Sequence, residues 1–122
     1  MELVDTPLPT LEDAHVVVPA PGVGPGNWAG AASAVLVDGT TYLTYRVRRP
    51  LPDGRGVATV VSRSTDGVVF TPVCEVMRDD FGAESFERPV VVRRPEGGWR
   101  DRKSGSAGMP RPKRISRMPS SA

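Results

Sequence analysis

The chain has 122 residues, enough for one ordinary domain, but only 39% are apolar, and 13 Pro with 13 Gly make up about a fifth. That composition predicts many turns and few long helices, while the single cysteine excludes an internal disulfide. The net charge of +2 averages two unlike pieces: residues 1–100 hold 10 Arg, no Lys and 13 acidic residues, net −3, whereas residues 101–122 hold 6 basic residues and one acid, net +5.

The start, Met1-Glu2-Leu3-Val4-Asp5, has neither a basic nor an apolar leader region, and no run reaches membrane-spanning length. A soluble cytoplasmic protein without a membrane partner is expected. Residues 1–30 form a Pro/Gly-rich lead-in, in which Pro7, Pro9, Pro19, Pro21 and Pro25 interrupt any helix or ladder. Within it, His15-Val16-Val17-Val18 predicts one short strand.

From residue 34 the pattern becomes regular. Two apolar runs, residues 34–37 and 41–47, flank Asp38-Gly39-Thr40, and Asp-Gly between alternating runs signals a hairpin turn needing positive φ. On the second strand Leu43, Tyr45 and Val47 share one face, and Tyr42, Thr44, Arg46 and Arg48 share the other. Residues 49–55 are a loop by their Pro and Gly content. A third strand over 56–62 is small and β-branched, as suits a strand packed on both faces. Ser64-Thr65-Asp66-Gly67 is a turn, with Asp66 placed to bond backbone amides, and residues 71–76 make a fourth strand.

Residues 78–87 read as a polar connection. Residues 88–94 predict the strand opening a second sheet, Pro95-Glu96-Gly97-Gly98 its turn, and Trp99-Arg100 the first step of the returning strand. Alternation then stops. Residues 101–122 read as a disordered basic tail, and their Lys103, Lys113 and Ile115 are residue types absent from the first hundred. That change of vocabulary predicts an unrelated appendage or a shifted reading frame. Without interleaved aromatics, the tail's six charges argue against nucleic acid as a partner.

Four short strands in this order make one antiparallel sheet, the unit of a propeller blade. Asn27-Trp28-Ala29-Gly30-Ala31-Ala32, the Asp38-Gly39 hairpin ending in Tyr45-Arg46, the Ser64-Thr65-Asp66-Gly67-Val68-Val69-Phe70 turn and Glu84-Ser85-Phe86-Glu87-Arg88-Pro89 together resemble the five-bladed β-propeller glycoside hydrolases and phosphorylases, the broad group around families 43, 32 and 130. The resemblance covers roughly residues 25–100. It implies an all-β fold: a first blade and the start of a second over residues 31–100, truncated before the ring closes.

In that group the innermost strands line a central cavity, and carboxylates from different blades flank the sugar. The implied substrate-binding residues are Asn27, Trp28, Arg46, Glu87 and Arg88. Arg88 stands where the mannoside phosphorylase-like members carry the Asp of Glu-Asp-Pro, and an arginine cannot donate a proton at neutral pH. The catalytic carboxylates are therefore not identifiable. Glycosidic-bond chemistry needs a pair of them, so the implied activity belongs to a full-length form acting on carbohydrate. These 122 residues alone are expected to be poorly folded and catalytically silent. A small standalone β-sheet module that binds carbohydrate or a polyanion through Trp28 and Trp99, without catalysis, is the alternative. Cys74 reads as a small buried residue of the fourth strand, since His15 lies in a separate segment. One Cys and one His provide no metal site, and no cofactor motif occurs.

Overall fold

The computed structural model describes residues 7–101. These residues form two antiparallel sheets with no α-helix among them. The first sheet is a four-stranded meander in sequence order: β1 (Trp28–Val37), β2 (Thr40–Arg48), β3 (Gly56–Ser64) and β4 (Thr71–Met77). The second is a two-stranded ribbon, β5 (Val91–Arg93) and β6 (Trp99–Asp101). Single 3-10 turns, Leu51–Asp53 and Arg78–Phe81, occupy the connections after β2 and β4.

The all-β, antiparallel organisation expected from the sequence is present. Asp38 (φ 51°) and Gly39 (φ 79°) both take positive φ, which matches the right-handed twist of the flanking strands and closes β1 onto β2. In the next turn Asp66 Oδ1 accepts from the Val68 and Val69 amides, each at 2.9 Å, and from Ser64 Oγ. Those bonds hold its carboxyl down to about 2, below the usual 3.8.

Three expectations need correcting. β1 begins at Trp28, inside the lead-in assigned to residues 1–30. Residues 15–18 are not a strand: the chain bends at Val17 and Val18, Val16 is 73% exposed, and Pro19 and Pro21 remove donors a ladder would use. The second-sheet strand, expected over 88–94, is confined to Val91–Arg93. At its far end β6 pairs Val91 with Asp101, one residue into the segment assigned to the tail; residues 102–122 lie outside the described residues.

β1 begins early because it carries a bulge. Gly30 pairs with Arg46, but the next paired residues are Ser33 and Thr44, so Ala31 and Ala32 together oppose Tyr45. Ala31 takes φ 51° to make the step. Side-chain parity therefore changes along the strand. Trp28 and Gly30 face the same side as Ser33, Val35 and Val37, and all share that side with Tyr42, Thr44 and Arg46 of β2.

The second sheet covers this side. Tyr42, Val61, Val91 and Trp99 form the buried cluster, with Val35, Val37, Val73 and Cys74 packed against it. The Tyr42 and Trp99 rings meet at 4.5 Å between centroids, a tilted contact adding about 0.5–1.5 kcal/mol beyond area burial. Burial pushes the Cys74 thiol pKa up, as for a residue that packs rather than reacts.

Polar groups then fix the strand-entry segment. Ser33 Oγ lies 2.6 Å from Thr44 Oγ1 and donates to the Pro89 carbonyl at 3.0 Å, leaving Thr44 to donate to Ser33. The Phe86 amide donates to Gly56 O at 2.9 Å, and the Gly56 amide donates to Ser85 Oγ at 3.1 Å. Gly56 is required at this close approach, because a Cβ there would collide with Phe86 O and Ser85 Oγ.

Candidate functional site

The bulge and the docked segment 85–89 converge at one end of β2. Trp28 pairs across the ladder with Arg48, and Gly30 with Arg46. Having no side chain, Gly30 lets the indole of Trp28 lie along β1: a Cβ at Gly30 would sit 2.6 Å from Trp28 Cζ3 and 2.7 Å from Cε3. The ring thereby reaches both guanidiniums. Arg46 Cζ stands 4.9 Å from the ring centroid and Arg48 Cζ 5.8 Å, both within cation–π range.

Arg46 is pinned from its other side. Its Nη1 donates to the Phe86 carbonyl at 2.9 Å and to Glu87 Oε2 at 3.0 Å. The Arg46 side chain is 11% exposed and that of Glu87 48%, so the pair sits at the lip of the covered face with its acidic end toward solvent. Two buried nitrogens at the cluster, Arg46 Nε and Arg48 Nε, have no hydrogen-bond partner among the described residues. Arg48 makes no other side-chain hydrogen bond and no ion pair there.

Three of the five residues singled out from the sequence, Trp28, Arg46 and Glu87, thus meet in one cluster, although 41 positions separate Arg46 from Glu87. Asn27 sits at the entrance to β1 and turns its amide inward, donating from Nδ2 to Val23 O at 3.1 Å and Gly24 O at 3.4 Å. Arg88 is exposed beside Glu87. Trp99, weighed as a ligand contact in the binding-module alternative, is 3% exposed and belongs to the core.

Sequence reasoning passed over Arg48, Gly30 and Gly56. The signals were available: Arg48 lies two positions after Arg46 and so on the same face, and a glycine inside a strand marks a bulge or a close approach.

No family model, curated protein or solved structure matches the chain.

Chemically, the cluster is a planar aromatic shelf flanked by two cations, with one carboxylate at its edge. It can accept hydrogen bonds through Glu87 and donate them through the guanidiniums. It lacks the second carboxylate that glycosidic-bond cleavage needs. No group of three or more His, Cys, Asp or Glu among the described residues is arranged to hold a metal ion. No helix among them is long and apolar enough to cross a membrane. An open cleft of about 450 Å³, lined by Val47, Asp53, Glu75, Met77, Arg78 and Asp79 among others, contains none of the five residues.

Proposed function

We propose that the β1–β4 sheet is the first blade of a five-bladed β-propeller and β5–β6 the opening of the second, in a protein that acts on carbohydrate glycosidic bonds in its full-length form. The meeting of Trp28, Arg46 and Glu87 carries this reading. An aromatic ring and an arginine from the first sheet, with a carboxylate from the segment that leads into the second, are what a sugar-lining cavity requires, and the second sheet stacks on one face of the first as adjacent blades do. With Glu87 the one acid at the cluster among the described residues and Arg88 beside it, these residues supply recognition. The acid–base pair would come from further blades, so the 122-residue chain by itself is catalytically silent.

One observation favours a second reading, a carbohydrate- or polyanion-binding module without catalysis. Two cations against one carboxylate suit ligand binding better than proton transfer. The test is the nucleotide sequence downstream of the Arg100 codon, translated in all three frames. Further units of four short strands with Asp-Gly turns support the propeller enzyme. A stop codon with no such unit in any frame rejects it and leaves the binding module.

A further inference from the structure

We propose that the corner formed by Trp28 and Arg48 receives an anionic group, a carboxylate or a phosphate ester, carried by a sugar; that the anion is borne by a sugar rests on the carbohydrate reading above. Charge balance is the first argument. Arg46 and Arg48 lie against the same indole, and among the described residues Glu87, bonded to Arg46, is the one acid paired with either. Two cations confined to one ring repel each other, and a half-exposed carboxylate on one of them leaves the second uncompensated.

Hydrogen-bond capacity is the second argument. Arg48 Nε is shielded and unpartnered, and no hydrogen bond or ion pair among the described residues engages the two Nη groups of this half-buried side chain. A planar donor fork held flat by an aromatic ring is pre-organised for carboxylate or phosphate oxygens, which it binds two at a time. Beyond its contact with the Trp28 ring, the Arg48 side chain makes no bond to the sheet among the described residues. It lies at the end of β2, where the ladder to β3 is already irregular.

The third argument is pre-formation. Gly30 keeps the indole down on β1, and Arg46 is locked by Phe86 O and Glu87. A ligand ordering only the Arg48 head group gives up little conformational entropy elsewhere.

The test uses the full chain carrying Trp99→Phe, so that fluorescence reports Trp28 alone, titrated with glucuronate, glucose 6-phosphate, glucose and inorganic phosphate. Saturable change with glucuronate or glucose 6-phosphate, and none with glucose, is expected; which of the two binds tells a carboxylate from a phosphate receptor. Arg48→Gln is expected to weaken that binding about tenfold or more, and Arg48→Lys, which keeps the charge, by less. Circular dichroism of each variant establishes that the sheet is retained. Glucose binding as well as glucuronate, unchanged affinity in Arg48→Gln, or no saturable binding of any anion overturns the anion receptor; the first of these leaves the carbohydrate reading standing. Inorganic phosphate binding as tightly as either sugar acid supports the anion receptor and removes the sugar.

Discussion

Replacing Gly30 by alanine separates a glycine retained for the indole from one retained for the backbone. Gly30 does not have positive φ, so its backbone accepts alanine. By restricting the unfolded chain, Gly→Ala at such a position stabilises a protein by about 0.4–1 kcal/mol. Here the new Cβ would lie 2.6 and 2.7 Å from two carbons of Trp28, against an optimal carbon–carbon separation of about 3.5–4.0 Å. The ring must retreat by roughly 1 Å. That displacement disturbs the fit of the ring to Arg46 at 4.9 Å and to Arg48, which at 5.8 Å already stands near the ~6 Å reach of the interaction. Each contact is worth about 0.5–2 kcal/mol, so Gly30→Ala is expected to destabilise by about 1–2 kcal/mol despite its favourable backbone effect. In a Trp28→Ala background the same substitution should instead stabilise. Urea unfolding of the four members of this cycle, followed by circular dichroism, measures the coupling. A Gly30→Ala chain more stable than the parent with Trp28 present would refute the argument.

Gly56→Ala should expel segment 85–87 from β3, costing about 2–4 kcal/mol from overpacking and two lost hydrogen bonds, with faster hydrogen exchange at the Phe86 amide as the specific sign. Arg46→Gln leaves the Phe86 carbonyl and Glu87 without their donor and should cost about 1–3 kcal/mol in urea unfolding. Trp99→Ala removes a side chain 3% exposed from the centre of the core, and a loss of about 3–5 kcal/mol is expected in the same assay. Because the Asp66 carboxyl is held at about 2 in the folded chain, its stabilising contribution is full above the unfolded value near 3.8 and disappears as pH falls toward 2. The stability gap between the parent and Asp66→Asn should therefore close across that window when urea midpoints are measured against pH.

The strands were legible where local chemistry alone sets them. Asp38-Gly39 and Asp66-Gly67 need positive φ at their glycines, and the alternation on either side has one register that buries Tyr42 and Val61. The first half of β1 was not legible. Trp28-Ala29-Gly30-Ala31-Ala32 shows no alternation because the bulge breaks it, and nothing local announces Ala31 at φ 51°. The run at 15–18 looked like a strand for its valines, but propensity is weak without a neighbour to pair with. Of the site, Trp28, Arg46 and Glu87 were nominated, while their contact depends on the docking of segment 85–89, a long-range event invisible to local pattern. Arg48 was passed over because a charged residue near a strand end ordinarily reads as solvated. Trp99 was misjudged because its burial needs the second sheet to close over Tyr42, a packing relation with no short-range signature.

The bulge in β1 makes the backbone conformation at Ala31, more than chain length, the sensitive quantity between Trp28 and Ser33. Substitutions at Ala32, which is exposed, alter little, and removing one residue from Ala31-Ala32 restores simple alternation with Trp28 still on the side of Arg46; straightening β1 at its present length is what would send Trp28 to the opposite side of the sheet. The hairpin beyond it would survive, since its register is set by Asp38-Gly39. A one-codon deletion there should thus spare both the meander and the cluster. A β-branched residue at Ala31, which resists the φ of 51° and favours a straight β1, would instead keep the meander and dismantle the cluster, a lesion that a folding assay passes and a binding assay detects.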